Sequence, residues 1–254
     1  MGTHTHARTK GIGMQITPTQ YIYPPRPRAA IPRDQITYVL GENSTWIAQL
    51  KYNDSRCMVK YLPGGKIELW NRHGEKFRNY TCPEELHNQL TKLHTTLNLS
   101  PDKISILDGG LLDAKHPAIK DTIVIWDILV HNGNHLLGTT YQERNGIIIP
   151  DVLKPWTRHV PTVGQITFGL KINDNLFVPE CYPQTEWANL WGIVDRVNKP
   201  YTVGKPTDKN YKISPLLEGL VFKNPQGELS LGYKEQNNSD WIMRSRVHTG
   251  RHKF

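Results

Sequence analysis

The segment from residue 46 to residue 70 alternates between short apolar runs and turns. Residues 46–52 and 57–61 are mostly apolar, and Pro63-Gly64-Gly65 separates them from residues 67–70, where apolar and polar side chains alternate. Short runs of this composition, bounded by glycine and proline, predict strands that pair with their neighbours in sequence. We therefore expect antiparallel strands in this part of the chain.

Three helices are predicted, two of them from apolar residues at the three- and four-residue spacing of an amphipathic helix. The first begins after Pro83, a short one without such a stripe covers residues 139–145, and the last is rich in tryptophan. The apolar stripes of the first and last are Leu86, Leu90, Leu93 and Leu97, and Trp187, Leu190, Trp191 and Val194. We expect the leucine stripe to be core rather than a cofactor contact.

Further strands are predicted at residues 104–107, 122–130, 217–223 and 240–247. The segment 122–130 is almost wholly apolar, which is typical of a strand that is buried on both faces. Strands dominate, and the few helices are expected to pack outside them. The predicted fold class is α+β, with antiparallel-rich sheets flanked by helices.

The first 35 residues differ in composition from the rest of the chain. The segment 23–28 contains three prolines and two arginines, and Pro32 follows shortly. Proline lacks a backbone donor, so this segment can form neither a helix nor a central strand. We predict that residues 1–35 are an extended basic arm and residues 36–254 a single domain. The arm is either a surface strap or a segment whose arginines contact phosphate.

The charge of the chain indicates a polyanionic partner. Lys and Arg number 31 against 23 Asp and Glu, which gives a net charge of +8, and phosphate contacts to such a surface release counterions. Cys57, Cys82 and Cys181 are far apart and form no CxxC pair, which favours a reducing cytoplasm over disulfides or zinc. No apolar run approaches the ~20 residues that a membrane span requires. We expect a monomer.

Six polar clusters lie on or beside the predicted strands, and they carry the candidate chemistry. Each contains charged or aromatic residues of the kinds that bind nucleotides or phosphates. In chain order they are Lys51 to Arg56, Asn71-Arg72-His73-Gly74, Asp108-Gly109-Gly110-Leu111-Leu112, Trp126-Asp127, Glu218 to Lys223, and Arg244 with Arg246. An aspartate inside the apolar segment 122–130 is costly unless it is paired or functional.

The order of these clusters resembles that of the covalent nucleotidyltransferases, which include ATP-dependent DNA and RNA ligases and, more remotely, mRNA capping enzymes. In that family the first motif is K-x-D/N-G-x-R, a later one resembles D-G-E-L, and E-G-L/V-V-x-K precedes a pair of basic residues. The resemblance covers residues 46–246, and the segment 218–223 is its most specific part. It implies the ATP-grasp-like adenylyltransferase domain of a ligase, here without an OB domain.

The resemblance assigns the nucleotide site to residues of the first half of the chain. Lys51 would take AMP from ATP and form a lysyl–AMP phosphoramide, which requires a neutral amine as the nucleophile. Arg56 would hold the ribose or a nearby phosphate, and Trp126 would stack on the adenine. Gln49 occupies a position that often contacts the adenine edge, and Leu50 beside it is expected to contribute to nucleotide binding.

The phosphate and metal contacts are assigned by the same resemblance. Glu218 would bind the divalent metal, Mg²⁺ or Mn²⁺, with Asp108 as a second carboxylate. Lys223, Arg244 and Arg246 would act in catalysis by neutralising the triphosphate and orienting pyrophosphate for departure.

Three positions depart from the family pattern. Asp54 stands where the first motif has glycine, which places a side chain beside the nucleophile. Gly110 stands where glutamate is expected, so a ribose or metal contact is either missing or supplied by Asp108 or Asp113. Arginines occupy the two final positions where the family has lysines, and the two residue types are not interchangeable as point charges.

The substrate is predicted to be nucleic-acid ends, with RNA favoured. Ligases for DNA usually continue into an OB domain, for which the sequence leaves no residues. Against this, Lys51-Tyr52 with Arg56 and the turn at 71–74 are more similar to DNA ligases, and Arg72 could grip the strand that carries the 5′-phosphate. A DNA ligase that seals nicks is the first alternative. A nucleic-acid-binding protein with a decayed site is the second, because of Asp54 and Gly110.

Overall fold

The computed structural model describes residues 16–115, 119–149, 170–205, 207, 212–232 and 237–248. Within these residues the chain forms strands in two main sheets and four α-helices. The strands are β1 (Arg26–Ala30), β2 (Ile47–Tyr52), β3 (Ser55–Leu62), β4 (Lys66–Trp70), β5 (Ser105–Leu112), β6 (Thr122–His131), β7 (Asn134–His135), β8 (Leu170–Asn173), β9 (Leu176–Val178), β10 (Thr202–Val203), β11 (Lys212–Ile213), β12 (Leu217–Lys223) and β13 (Asn238–Arg246). The helices are α1 (Ile36–Leu40), α2 (Glu84–Thr96), α3 (Tyr141–Ile148) and α4 (Trp187–Asn198).

The larger sheet has the strand order β4-β3-β5-β6-β9-β8, with β7 paired to β6. Its central pairs are antiparallel, and β9 runs parallel to β6. The leucine stripe of α2 is buried with Val59 and Leu107 in one core cluster of this sheet. The predicted core role of these leucines is therefore confirmed.

The smaller sheet has the strand order β1-β13-β12-β2, and it covers the second large core cluster. The predicted stripe of α4 packs against it, with the Trp187 and Phe222 ring centroids 4.8 Å apart in an edge-on arrangement. A two-stranded ribbon, β10-β11, lies apart from both sheets. The predicted α+β class, with antiparallel-rich sheets and flanking helices, is confirmed.

Strand β5 extends beyond its predicted end at residue 107. The sequence suggested that Asp108-Gly109-Gly110 follow the strand, but they lie inside it, between β3 and β6. A Cβ atom on Gly109 would lie 2.5 Å from the Val124 carbonyl oxygen. The glycine therefore marks a close approach of two backbones rather than a turn.

The arm lies against the domain from residue 16 onwards, and its residues 1–15 lie outside the described part. Residues 26–30 form the edge strand β1, which pairs in parallel with β13, and an extended edge position suits the prolines. Ile22 and Ile31 are buried in two different core clusters. Lys60 Nζ donates to the carbonyl oxygens of Pro18 and Gln20. The predicted boundary at residue 35 stays a prediction.

None of the helices in the described ranges is long and apolar enough to cross a membrane.

Candidate active site

A cleft of about 800 Å³ is lined by residues of both main sheets. Strands β2, β12 and β13 contribute from one sheet, and β3, β5 and β6 contribute from the other. Every residue that the sequence predicted for the site lies on its wall: Gln49, Leu50, Lys51, Arg56, Arg72, Asp108, Trp126, Glu218, Lys223, Arg244 and Arg246. Residues separated by almost 200 positions in the sequence thus share one cavity.

Lys51 and Glu218 form a close ion pair on the cleft wall. Lys51 Nζ donates to Glu218 Oε2 at 2.5 Å, and both side chains are about one-fifth exposed. Arg246 Nη2 lies 3.5 Å from the same carboxylate oxygen. Burial acts to raise the pKa of Glu218, but the positive charges of Lys51 and Arg246 hold it below its usual value. Glu218 is therefore an anion that orients the Lys51 amine within the cleft.

A β-bulge places Glu218 on the cleft side of β12. The register with β2 shifts between Leu217 and Gly219, and Gly219 has a φ of +137°, which only glycine adopts readily. A Cβ atom there would lie 2.1 Å from the Ser245 carbonyl oxygen. Without the extra residue, Glu218 and Lys223 would face opposite sides of the strand, because five positions separate them. The bulge brings both into the cleft.

Arg56, Asp108 and Trp126 form a closed hydrogen-bonded group. Arg56 Nε donates to Asp108 Oδ1 at 2.6 Å, and Arg56 Nη2 donates to Oδ2. Trp126 Nε1 donates to the same Oδ2 at 2.9 Å, and the Arg56 guanidinium lies 5.4 Å from the Trp126 ring centroid. Burial raises the pKa of Asp108, and the charge of Arg56 opposes this. Both oxygens of Asp108 are already engaged, so binding a metal there would require these contacts to change.

Gln49 and Lys223 are buried polar residues beside β6, the strand that carries Trp126. Gln49 Nε2 donates to the Tyr141 hydroxyl at 3.0 Å and to the Pro179 carbonyl at 3.3 Å. Lys223 Nζ donates to the Trp126 carbonyl at 3.2 Å and lies 4.1 Å from the Tyr141 ring centroid. Sequence reasoning missed Tyr141, which joins these two side chains.

The neighbouring side chain of Leu50 packs instead into the core of the smaller sheet. Alternate residues of a strand face opposite sides, and Gln49 and Lys51 face the cleft. A contact between Leu50 and a nucleotide would therefore come from its backbone.

Burial lowers the pKa of Lys223 to about 8, although Asp127 acts to raise it. The unfolded chain, with a lysine pKa near ~10.4, therefore binds more protons than the folded chain between about pH 8 and pH 10.5. Stability rises with pH in this window, by ~3 kcal/mol in total for this group. We expect the free energy of urea unfolding of the wild type, taken relative to that of Lys223→Met, to increase from pH 7.5 to 8.5 and again to 9.5. Parallel pH profiles of the two proteins would contradict the prediction.

Asp127, the costly aspartate of the apolar strand, is paired with a residue that sequence reasoning missed. Arg144 Nε and Nη2 donate to its two carboxylate oxygens at 2.8 and 3.1 Å, and both side chains are almost fully buried. Arg144 lies on α3, which begins with a capping box formed by Thr140 and Glu143. The arginine holds the helix against the strand that carries Trp126, so Asp127 has a structural partner.

The rim of the cleft is basic. Arg244 and Arg246 are opposite Val221 and Gly219, so they share one face of β13 as their spacing predicts. Arg72 is exposed in the turn at residues 71–74, where its Nε donates to His73 Nε2 at 3.0 Å. The turn itself is closed by backbone donors to the Asn71 side chain.

The arm adds contacts to this rim that the sequence did not locate. The Pro25 carbonyl accepts a hydrogen bond from Arg56 Nη2 at 3.1 Å, and Arg26 lines the cleft. The arm therefore forms part of the cleft wall and orients one of the predicted nucleotide-binding side chains.

The donor set suits a hard cation bound mainly by phosphate. In the described part of the chain, no three His, Cys, Asp or Glu residues are grouped to hold a metal ion. Mg²⁺ is typically bound through one or two carboxylates together with substrate phosphates and water. Glu218 can supply one such carboxylate, so the residues present fit Mg²⁺ that arrives with a nucleotide.

The sequence matches no protein-family model and no curated protein. Solved structures resemble the fold. The structure named Pmar-Lig_Pre aligns with a TM-score of 0.51 at 12% identity, over 89% of this chain and 47% of its own. The ATP-dependent DNA ligase from bacteriophage T7, in complex with ATP, aligns with a TM-score of 0.46 at 13% identity, over 86% and 67% of the two chains. An archaeal ATP-dependent RNA ligase aligns with a TM-score of 0.42 at 13% identity, over 87% and 47%.

The alignment with the structure named Pmar-Lig_Pre shows that the chain shares the fold of that structure. The chain spans about half the length of two of these structures and 67% of the T7 ligase.

Proposed function

We propose that this chain is the adenylyltransferase domain of an ATP-dependent polynucleotide ligase. The observation that carries the proposal is the Lys51–Glu218 pair, at 2.5 Å, on the wall of a cleft that also holds Lys223, Arg244 and Arg246. An amine oriented by a carboxylate and surrounded by cations suits attack on an electron-rich phosphate. The gathering of every predicted residue in one cleft supports an enzyme over a binding protein with a decayed site.

In the proposed first step the Lys51 ammonium loses two protons to solvent, a bond forms between Lys51 Nζ and the α-phosphorus of ATP, and the bond from that phosphorus to pyrophosphate breaks. Lys223, Arg244 and Arg246 neutralise the negative charge that leaves with pyrophosphate. Trp126 offers its ring to the adenine, and Mg²⁺ held by Glu218 would supply further neutralisation of the phosphates.

The same lysine then passes AMP to a 5′-phosphate, and a 3′-hydroxyl displaces AMP to form the phosphodiester bond. Arg72 is the residue proposed to grip the 5′-phosphorylated strand, because its side chain is exposed on the cleft rim. RNA ends are the proposed substrate, with nicked DNA as the alternative. A guanidinium that contacts backbone phosphate serves either polymer.

A labelling and sealing experiment tests the proposal. The protein is incubated with Mg²⁺ and ATP labelled at the α-phosphate, and covalent label is measured on a denaturing gel. It is then offered 5′-phosphorylated single strands and nicked duplexes of RNA and of DNA. We expect labelled protein and joined product, with RNA as the better substrate. A protein that neither takes up label nor joins any end would be a binding protein, and sealing of nicked DNA alone would make it a DNA ligase.

A further inference from the structure

The Asp54 side chain occupies the space that a side chain at position 110 would need. Asp54 lies in the turn between β2 and β3, and Gly110 lies on β5 opposite Arg56. A Cβ atom on Gly110 would lie 2.4 Å from Asp54 Cγ and 2.8 Å from Asp54 Oδ2. Such approaches do not occur between real atoms, so the Asp54 carboxylate fills the volume that a side chain at position 110 would occupy. The two departures from the family pattern are therefore one structural feature.

The other carboxylates near this position each have a positively charged partner. Asp108 is held by Arg56 and Trp126, Glu218 is held by Lys51, and Asp113 lies 3.7 Å from Lys120. The Asp54 side chain lines the cleft and is only partly buried. Its backbone carbonyl accepts a hydrogen bond from Lys115. Among the described residues, no hydrogen bond or ion pair engages its carboxylate, which leaves the two oxygens for a ligand.

The position of Asp54 determines which part of a bound nucleotide its carboxylate can contact. Lys51, three residues earlier, must meet the α-phosphate, while Trp126 on β6 lies on the side proposed for the adenine. The ribose joins these two groups in any nucleotide, so it passes between them. A carboxylate accepts hydrogen bonds and donates none, which suits the two ribose hydroxyls and not a phosphate. Burial raises the pKa of Asp54 to about 6, against the effect of Lys51, so the group is largely anionic above pH 7.

On the basis of the proposed function, we propose that Asp54 accepts hydrogen bonds from the ribose hydroxyls of ATP and so selects ribonucleotides over deoxyribonucleotides. Gly110 is its obligatory partner, because any side chain there would displace the carboxylate. The sugar contact that the family pattern leads one to expect from a side chain on β5 thus comes from the turn after β2.

Nucleotide binding measured without chemistry tests this assignment. The Lys51→Ala protein is titrated by calorimetry with ATP, 2′-deoxy-ATP and 3′-deoxy-ATP in the presence of Mg²⁺. A hydrogen bond to a charged group is worth ~1.5–3 kcal/mol, so we expect ATP to bind about tenfold to a hundredfold more tightly than at least one deoxy analogue. In Lys51→Ala/Asp54→Ala this ratio should fall to about one.

A side-chain exchange separates a sugar contact from a merely structural role. Gly110→Ala alone should lower the preference for ATP over the deoxy analogues, because its Cβ collides with the Asp54 carboxylate and displaces it. Asp54→Gly combined with Gly110→Asp removes the collision and returns a carboxylate from β5, so it should restore part of the preference for ATP. Thermal melts of each variant confirm that it is folded.

Three results would overturn the assignment. In the Lys51→Ala/Asp54→Ala protein, they are an unchanged preference for ATP, an equal loss of affinity for all three nucleotides, or a raised Mg²⁺ requirement with the preference for ATP intact. The last would make Asp54 a metal ligand. The outcome is independent of ligase chemistry. Sugar preference without covalent AMP on the wild-type protein would remove the proposed function alone, and covalent AMP without a role for Asp54 would remove this inference alone.

Discussion

Replacing Lys51 with alanine should reduce covalent AMP labelling by ~10³-fold or more, because removing a nucleophile removes the bond-forming atom itself. Lys51→Arg should be equally inactive. Arginine keeps a positive charge beside Glu218, but its guanidinium is not deprotonated in proteins and does not act as a nucleophile. The measurement is radioactive label per mole of protein after incubation with ATP labelled at the α-phosphate, with the labelled peptide then identified by mass spectrometry.

Lys92→Ala is the matched control for this experiment. Lys92 is exposed on α2, outside the cleft, and its loss should leave labelling unchanged. If the Lys51→Ala protein still becomes labelled, the nucleophile is another lysine. Lys223 would then be the first candidate, because it is the cleft lysine whose pKa burial lowers to about 8.

Replacing Arg144 with methionine should destabilise the fold by ~3–5 kcal/mol, because it leaves the Asp127 carboxylate buried without a partner. Arg144 and Asp127 form a bidentate ion pair, and their side-chain exposures are 0% and 2%. Asp127 lies on β6, the strand that also carries Trp126. We expect the urea midpoint to fall while the slope of the transition stays the same.

A double variant distinguishes the effect of an unpaired buried charge from the effect of altered side-chain packing. Arg144→Met with Asp127→Leu removes both charges, and replacing a buried pair by apolar groups is often close to neutral. The double variant should therefore regain most of the lost stability. Arg78→Ala, which breaks an exposed pair with Glu75, should cost less than ~1 kcal/mol. A double variant as unstable as Arg144→Met alone would show that packing, and not the unpaired charge, is responsible.

Much of the architecture could be predicted from local patterns. The alternating and apolar runs correctly located β2, β3, β4, β6, β12 and β13, and the leucine and tryptophan stripes located α2 and α4. These predictions succeeded because burial of one face imposes a period on the sequence. The structure brings all the predicted site residues to one cleft wall, since each motif lies on a strand that reaches it or, for Arg72, in the turn after β4.

The features that the sequence did not predict depend on contacts between distant strands. The bulge at Gly219 depends on how β12 meets both β2 and β13, and a single glycine within a strand has several possible meanings. The strand prediction ended at residue 107, before the glycines of β5, because the contact between Gly109 and the Val124 backbone cannot be read from the sequence. Short strands such as β8 and β9 have too few residues to show a period.

The pairing of Asp54 with Gly110 and of Asp127 with Arg144 could not be predicted for the same reason. Asp54, Gly110 and Asp127 are each unusual in the sequence, but their partners cannot be read from it, because each partner lies on another element. Arg144 was missed altogether, since an arginine on a short helix is normally exposed. The helix itself was predicted at residues 139–145, and the capping box at Thr140 and Glu143 could have fixed its start at Tyr141.

The position of β12 has a consequence for biosynthesis. Lys51 on β2 meets Glu218 across a sequence separation of 167 residues, and β12 must itself pair with β2 and β13. Contacts of this range form late, because the loop that they close costs entropy before any pairing repays it. On the ribosome, β3 to β6 can pair as neighbours while β2 still lacks its partner strand. An unfinished polypeptide would therefore carry the lysine without the carboxylate that orients it, and adenylylation would begin only after translation has passed β12.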